Sequence, residues 1–309
     1  MSRIESFDPR FDALLRADSA LEKLCTGATW SEGPVVVEAL GLVIWSDIPN
    51  NRLVAWSEAK GFHEYQKPSY FSNGHTIDLE GRIINCEHGR RCISRTVFGG
   101  DTEILVERYQ GKRLNSPNDV VVKSDGSIWF SDPRYGILSD AEGYKAESEI
   151  GADHVYRFDP QSGELTAVAT DCIRPNGLAF SPDERLLYVS DTSASHDADG
   201  RHELRVYPVA SDGKSLGTGR TFAVVEPGLP DGFRLDDQGH IFTSSEDSIQ
   251  VYHPDGTLLG KIHVPEKIGN CTFAGEDFDT LYIVATTSLY RIRLNVRAAV
   301  RRNVAVGKG

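Results

Sequence analysis

Six side chains with oxygen ligand atoms recur along this chain, each at the start of a similar short phrase. Each phrase continues as a short apolar strand, a turn that often contains Gly, and a second apolar strand. Two of the six are carboxylates and four are carboxamides, a donor set that suits a hard divalent ion such as Ca²⁺. Imidazole and thiolate are missing from the set, which argues against a dedicated structural Zn²⁺ site. The six residues are Glu32, Asn73, Asn118, Asn176, Asp231 and Asn270.

The Asn-Gly and Asp-Gly pairs in these phrases also have an ordinary explanation. Asn, Asp and Gly tolerate the left-handed backbone of tight turns, so each copy taken alone favours a turn residue. Two carboxylates at equivalent positions among four amides favour a shared cation site for the set as a whole. If each copy is one structural unit, the six side chains meet around one axis.

The spacing of the copies predicts the fold. Strand-rich phrases that repeat about every 40–50 residues are typical of a propeller built blade by blade. A third strand follows several copies, at 52–56, 154–158, 204–208 and 249–253, and four antiparallel strands make one blade. The sequence therefore predicts one all-β domain over residues 1–309, a six-bladed β-propeller with a metal-binding central channel.

The first 25 residues precede the repeats as an N-terminal extension. Apolar residues at helix-like spacing predict a short helix within 11–24. We also expect a strand near 24–28 to close the ring by pairing with the C-terminal blade.

The up-and-down order of strands in a blade predicts which residues share a face. The start of a first strand lies on the same face as the end of a second strand, where Asp47, Asp132 and Asp191 stand. Two long connections, 133–153 and 192–203, belong to that face as well. Long loops on a rigid scaffold usually carry binding residues, so this face is the expected site.

Composition excludes several classes of function. The chain has 33 basic and 45 acidic residues, and a net charge of -12 disfavours nucleic acid as a partner. No apolar run approaches the length of a membrane span, and the N-terminal residues do not resemble a secretory signal. Five scattered cysteines without a CxxC pair predict a reduced, cytoplasmic protein. Oligomeric state is left open.

Four motifs in order, EGPVV, NSPNDVVV, RPNGLAFSPDERLLYVSD and LPDGFRLDDQG, resemble the SMP-30/gluconolactonase/luciferin-regenerating family from about Trp30 to Ile292. The resemblance implies a six-bladed propeller with a divalent cation in its central channel. It also implies enzymes that hydrolyse sugar lactones and, in some members, organophosphates. The implied cation ligands are Glu32, Asn118, Asn176 and Asp231.

The resemblance further implies roles around the cation. Asp231 is the implied general base, and Asp132 or Asp119 are alternatives because a cation-bound carboxylate is a weak base. Arg113 and Asn115 are the implied contacts to sugar hydroxyls. Asn73 and Asn270 are left as substrate contacts or as supports behind the ligands. His75 follows Asn73 by two residues and, in a regular strand, would line the channel.

Three functions remain open at this point. The leading interpretation is a metal-dependent hydrolase that opens small sugar lactones to aldonic acids. The same site would also suit a phosphotriesterase or an esterase for a non-sugar lactone. The third is a propeller that only binds a ligand, because a fold alone does not fix function. Ca²⁺ is the expected ion, with Zn²⁺, Mn²⁺ and Mg²⁺ as alternatives.

Overall fold

Two strands precede the first blade, β1 (Ile4–Ser6) and β2 (Glu22–Thr26), in the computed structural model, which describes residues 3–98 and 100–299. Blade one contains β3 (Ser31–Val37), β4 (Leu42–Asp47), β5 (Arg52–Trp56) and β6 (His63–Gln66). Blade two contains β7 (Ser72–Ile77), β8 (Ile83–Glu87), β9 (Cys92–Thr96) and β10 (Thr102–Val106). A hairpin of β11 (Arg108–Tyr109) and β12 (Lys112–Arg113) follows.

The other four blades follow the same order. Blade three contains β13 (Val120–Val122), β14 (Ile128–Asp132), β15 (His154–Phe158) and β16 (Leu165–Ala169). Blade four contains β17 (Pro175–Phe180), β18 (Leu186–Asp191), β19 (Glu203–Pro208) and β20 (Arg220–Val224). Blade five contains β21 (Phe233–Leu235), β22 (Ile241–Thr243), β23 (Ser248–Tyr252) and β24 (Leu258–His263). Blade six contains β25 (Ile268–Ala274), β26 (Thr280–Ala285) and β27 (Ser288–Arg293).

Each blade is an antiparallel sheet whose neighbouring strands are consecutive in the chain, apart from the two N-terminal strands. The predicted six-bladed β-propeller is therefore confirmed. β-branched runs such as Val35–Val37 and Val120–Val122 favour strands, because branched side chains pack well on a pleated surface.

Strand β2 closes the ring. It pairs with β27 and supplies the outer strand of blade six, so the N-terminal and C-terminal ends of the chain share one sheet. Strand β1 pairs with β24 and adds a fifth strand to blade five. The expected closure near 24–28 is thus found at Glu22–Thr26.

The predicted helix within 11–24 is wrong. Helical structure in this stretch is a 3₁₀ turn at Pro9–Leu14, and Phe11 lies fully buried against Gly260 of blade five. The apolar residues that suggested a helix are divided among different elements. Leu14 ends the 3₁₀ turn, Leu15 bridges Leu294, and Leu24 lies in the edge strand that pairs with β27.

Other helical segments in the described residues are short. They are the 3₁₀ turns Glu38–Leu40, Ile48–Asn50 and Ser193–Ser195 and the α-helix α1 (Tyr135–Leu138). No helix in residues 3–98 and 100–299 has the length and apolar character needed to span a membrane.

The core lies between neighbouring blades. Ile84 and Ile93 of blade two pack with Val120 and Phe130 of blade three in one buried cluster. Burial of each such side chain contributes about 1.5–3 kcal/mol. This packing fixes the rotation of each blade relative to the next, and so places the starts of the first strands around one axis.

Candidate active site

Residues at the starts of the first strands are joined into a ring by backbone hydrogen bonds. Gly74 N donates to Asn118 O at 2.7 Å, and Gly177 N donates to Asp231 O at 3.2 Å. Gly232 N donates to the first strand of blade six in the same way, to Gly269 O at 2.8 Å. These bonds place Asn118, Asp231 and Gly269 at equivalent positions at the starts of their blades.

Serine side chains from the second strands strengthen this ring. Each donates from Oγ to the backbone carbonyl of the polar residue in the following blade. The three bonds are Ser46 to Asn73 at 2.8 Å, Ser131 to Asn176 at 2.6 Å and Ser190 to Asp231 at 2.9 Å. Of the ring residues, these buried serines bond only the backbone carbonyls. The side chains of the ring residues are therefore available for other contacts.

Close approach of neighbouring blades explains the glycines that follow the polar residues. A Cβ at Gly177 would lie 2.4 Å from Asp231 O, and a Cβ at Gly232 would lie 1.9 Å from Asn270 Cγ. Neither glycine has the positive φ that a tight turn requires. The Asn-Gly and Asp-Gly pairs at these two positions are therefore contact points between blades, and the turn explanation does not apply.

The sixth member of the ring is Gly269, and the alignment that placed Asn270 there is wrong by one residue. Ile268 pairs with Ala285 across the sheet as Ser31 pairs with Asp47, so Gly269 is equivalent to Glu32. A Cβ at Gly269 would lie 2.5 Å from Glu32 Oε1, and only glycine leaves that carboxylate its space. Asn270 lies one position further along the strand.

Asn270 and Asp119 form a second layer behind the ring. Asn270 Nδ2 donates to Asp119 Oδ2 at 3.5 Å, and Arg234 Nη1 lies 3.6 Å from the same oxygen. Asp119 Oδ1 accepts from Val120 N at 2.8 Å. Burial raises the pKa of Asp119 against the opposing charge of Arg234. This carboxylate is thus almost fully enclosed and already paired.

Glu32 and Asp231 carry the two carboxyl groups of the ring and lie close enough for each to shift the pKa of the other. Burial, and then the charge of Asp231, raise the pKa of Glu32 well above its usual value. Burial also raises the pKa of Asp231 to about 7, against the opposing effects of the Glu32 hydrogen bond and the Lys267 charge. Ionisation of one carboxyl group of such a pair opposes ionisation of the other, so the two groups titrate together.

This donor set fits a hard cation. In residues 3–98 and 100–299, no three or more His, Cys, Asp or Glu side chains gather to hold a metal ion. A site at the ring would therefore combine the carboxylates of Glu32 and Asp231 with amide oxygens of Asn118 and Asn176. Oxygen-only ligands of this kind suit Ca²⁺. A divalent charge would also favour the ionised form of both carboxyl groups and so oppose the effect of burial on their pKa values.

The carboxyl pair should make the stability of the metal-free protein depend on pH. Asp231 has a pKa of about 7 when folded and an ordinary value of 3.8. The folded state binds more protons across that interval, so the free energy of unfolding falls as pH rises through it. Thermal unfolding in chelator at about pH 5 and about pH 7.5 measures this fall. It should be smaller in Asp231→Asn, and an unchanged pH dependence in that variant would contradict the assignment.

Comparison with known families matches residues 30–287 to the SMP-30/gluconolactonase/LRE-like region. The chain belongs to this family. It is 33% identical to the gluconolactonase of Zymomonas mobilis subsp. mobilis, over 95% of this chain and 86% of that protein. It is 28% identical to the pentonolactonase XacC of Haloferax volcanii, over 84% and 82%. The gluconolactonase structure from Xanthomonas campestris is 38% identical over 94% of each chain, with a TM-score of 0.87.

Membership confirms the resemblance carried by the four motifs. Three carboxylates were predicted on the same face because they end second strands. Asp47, Asp132 and Asp191 end second strands on the expected face. Each accepts a backbone N–H from the segment that enters its own blade. The pairs are Thr29 N with Asp47 at 2.9 Å, Asn115 N with Asp132 at 2.8 Å and Ile173 N with Asp191 at 2.8 Å.

Asp132 is therefore held in a structural contact. It is 0% exposed, and burial raises its pKa to about 8. Its bond to Asn115 N pins the segment that leads to Asn118. Asp132 therefore supports the segment that carries Asn118, one of the predicted ligands. The role of Asp132 as the general base stays a prediction.

Arg113 and Asn115, the predicted sugar contacts, lie on that entering segment. Asn115 Nδ2 donates to Asp132 O at 3.0 Å and Ala152 O at 2.9 Å, and Asn115 Oδ1 accepts from Ser148 Oγ at 2.6 Å. Arg113 Nη2 donates to Arg90 O at 2.9 Å. Asn115 thus has protein partners on both polar atoms. Substrate contact by either residue stays a prediction.

His75 is enclosed between blades one and two. Its Nε2 lies 2.8 Å from Ser46 Oγ, and its Nδ1 lies 2.9 Å from Asn85 Oδ1. Burial lowers its pKa to about 4. A bulge between Ser72 and His75 breaks the alternation that predicted a channel-facing ring. Its observed contacts are structural, and a contact with substrate stays a prediction.

Asn73 has a neighbour, His88, that follows the second strand of blade two on the predicted face. Its Nδ2 lies 3.4 Å from His88 Nε2, and His88 Nδ1 lies 2.9 Å from Glu142 O of the long loop 133–153. Burial lowers the pKa of His88 to about 4, so its ring is neutral. His88 therefore links the ring to that loop.

Two further residues beside the ring carry no sequence signal. Thr192 Oγ1 lies 3.4 Å from Asn176 Nδ2, and the Tyr135 hydroxyl lies 2.6 Å from the same Thr192 oxygen. Both come from the irregular connections 133–153 and 192–203, where no periodicity or motif marks a side chain that turns inward.

Proposed function

We propose that this chain hydrolyses sugar lactones to aldonic acids at the polar ring. The observation that carries the proposal is the enclosed Glu32–Asp231 carboxyl pair, at equivalent positions with Asn118 and Asn176. The gluconolactonase of Zymomonas mobilis, similar over most of both chains, supports the choice of substrate class.

We propose that Glu32, Asn118, Asn176 and Asp231 hold one divalent cation, with Ca²⁺ as the ion that the donor set favours. When bound, such a cation supplies a Lewis acid that polarises a carbonyl oxygen and lowers the pKa of water. The chain contributes the negative charge of Glu32 and Asp231 and the fixed backbone ring behind them. Zn²⁺ is less suited, because the set lacks imidazole and thiolate.

Asp231 is the proposed general base. Compared with Glu32, Asp119 and Asp132, which are 4%, 1% and 0% exposed, Asp231 is the less buried residue. It also lies beside Glu32 at the proposed cation site, where an attacking water would be held. Its task is to accept a proton from the water that attacks the lactone carbonyl, and to release it after the ring opens.

Arg113 is the proposed contact to the substrate hydroxyls. Arg113→Ala should raise KM by about tenfold and leave kcat nearly unchanged, because it removes a charge-assisted contact shared by ground and transition states. Steady-state kinetics on the preferred lactone measure this. Arg108→Ala is the matched control, since Arg108 pairs with Arg113 across the same hairpin and is exposed. Equal effects of both substitutions would remove Arg113 from the site.

The proposed substrate class is tested by a panel of aldonolactones, non-sugar lactones and phosphotriesters. Hydrolysis is followed with a pH indicator for the acids and by leaving-group absorbance for the triesters. Each compound is measured after chelation and again after addition of Ca²⁺, Mn²⁺, Mg²⁺ or Zn²⁺. Sugar lactones should be hydrolysed fastest. A larger kcat/KM for phosphotriesters, or binding without turnover, would overturn the proposal.

We also propose a cytoplasmic location and a small-molecule substrate as the main partner. The five cysteines are free thiols, four of them buried, which is consistent with a reducing compartment. Burial raises the pKa of Cys86 and of Cys271, so these thiols are unreactive.

A further inference from the structure

Two loops from different blades meet beside Asn176. The Tyr135 hydroxyl, on the loop after blade three's second strand, contacts Thr192 Oγ1 at 2.6 Å and Ser195 Oγ at 3.0 Å. Both partners follow the second strand of blade four. Ser195 Oγ in turn lies 2.8 Å from His196 Nδ1. A continuous line of side-chain hydrogen bonds thus runs from the rim of the site to Asn176.

Two side chains pack near the Tyr135 ring. The Arg174 guanidinium carbon lies 5.3 Å from the ring centroid, and the His196 ring centroid lies 5.6 Å away. Tyr135 also lies close enough to Asp231 for that charge to contribute to its raised pKa, after the larger effect of burial. The hydroxyl therefore has a defined place next to the polar ring.

Counting donors and acceptors at Thr192 Oγ1 shows how it directs Asn176. Either oxygen of the 2.6 Å contact between the Tyr135 hydroxyl and Thr192 Oγ1 could be the donor, and the Thr192 carbonyl lies further from Tyr135, at 3.2 Å. We assign the donor to Tyr135, and Asn176 Nδ2 donates to the same Thr192 oxygen at 3.4 Å. The single Thr192 proton then goes to Arg174 O, also at 3.4 Å. This arrangement uses both lone pairs and the proton of the hydroxyl. It leaves Asn176 with its amide nitrogen towards Thr192 and its Oδ1 on the other side.

Without the Tyr135 hydroxyl this preference weakens. Thr192 would be free to rotate and donate its proton to Asn176 Oδ1, which would turn the amide nitrogen towards the carboxyl pair. An N–H group cannot ligate a cation. The direction of the Asn176 amide is therefore a property of the Tyr135–Thr192 pair.

We propose that Thr192 and Tyr135 are positioning residues that hold Asn176 Oδ1 in the direction required for cation binding. The inference rests on the proposed cation site. It joins the loops 133–153 and 192–203 to that site through one hydroxyl each, and it gives both loops a role in cation affinity.

The test is Ca²⁺ titration by calorimetry into chelator-treated protein, with the thermal midpoint of the metal-free protein measured in parallel. Thr192→Val and Tyr135→Phe should each weaken Ca²⁺ affinity about threefold to tenfold, the loss of one hydrogen bond. Thr192→Ser keeps the hydroxyl and should retain wild-type affinity. Tyr65→Phe on the outer strand of blade one is the control and should change nothing.

Glu32→Gln in the same titration distinguishes a failure of the positioning role from a failure of the cation site itself. If Glu32→Gln weakens Ca²⁺ binding but Thr192→Val and Tyr135→Phe do not, the positioning role is wrong and the site stands. If Glu32→Gln binds Ca²⁺ as tightly as wild type, the site itself is misplaced. Equal losses in Thr192→Val and Thr192→Ser, with lowered thermal midpoints in both, would assign Thr192 to general packing and overturn the proposal.

Discussion

Asp231→Asn should lower kcat for lactone hydrolysis by about 10²–10⁴-fold, the usual cost of losing a general base. The amide keeps the size of the carboxylate and an oxygen, but it cannot accept the proton from the attacking water. Asp231→Ala, which removes the oxygen as well, should abolish turnover. Continuous pH-indicator assays at saturating substrate and cation concentrations measure kcat in each variant.

Loss of one ligand charge also weakens cation binding, so occupancy of Asp231→Asn must be measured in the assay sample. Asp119→Asn is the matched control, because it removes a carboxylate one layer behind the ring. It should keep most of the wild-type kcat. A cation-loaded Asp231→Asn with near wild-type kcat would exclude Asp231 as the base and direct attention to Asp119 or Asp132.

Glu32→Gln should weaken cation affinity by on the order of 100-fold or more, since even residues behind a ligand cost 10–100-fold when replaced. The substitution keeps the side-chain shape and removes one of only two negative charges in the ring. Hydrolysis should fall with occupancy and recover in part at high cation concentration. Calorimetric titration of chelator-treated protein gives the affinity.

Glu38→Gln provides the control for this experiment. Glu38 directly follows β3, at the end of the strand opposite to Glu32, and its side chain is exposed. Glu38→Gln therefore changes the net charge by the same amount as Glu32→Gln but leaves the ring intact. Its affinity for the cation should equal that of wild type. If Glu32→Gln and Glu38→Gln behave alike, the ring does not hold the cation.

The blades could be predicted from the sequence because each is a local unit. Strand, turn and strand lie within about 20 residues of one another, and the repeated phrases mark them. The polar residue at the start of each phrase could also be placed around the axis, since equivalent positions in a propeller share one face. The symmetry indicates six positions, and the family resemblance selects Glu32, Asn118, Asn176 and Asp231 among them as the predicted cation ligands.

Departures from regular strand geometry could not be predicted. Register shifts of one residue lie in the inner strand pairs of blades one, two, four and six. In blade two the shift turns His75 away from the channel. A sequence pattern with a period of two residues carries no mark of an inserted residue. The sequence shows the glycines that follow the polar residues. It does not show why glycine is required there, because the reason is close contact with the next blade.

The N-terminal residues and the long loops show a second limit. Residues 22–26 form a strand that pairs with β27, so the strand expected near 24–28 begins inside the stretch 11–24, for which a helix was predicted. Tyr135 and Thr192 are close in space but lie 57 residues apart in irregular segments. The contact between Tyr135 and Thr192 can be identified only when the three-dimensional positions of both loops are known.

The most direct test measures bound cation and lactone hydrolysis together in one chelator-treated sample as Ca²⁺ is added back. We predict that hydrolysis is lost on chelation, returns in proportion to one bound cation per chain, and fails to return in Glu32→Gln at the concentration that restores wild type. Full hydrolysis in protein shown to be free of metal, or restored activity in Glu32→Gln at the wild-type concentration, would contradict the account.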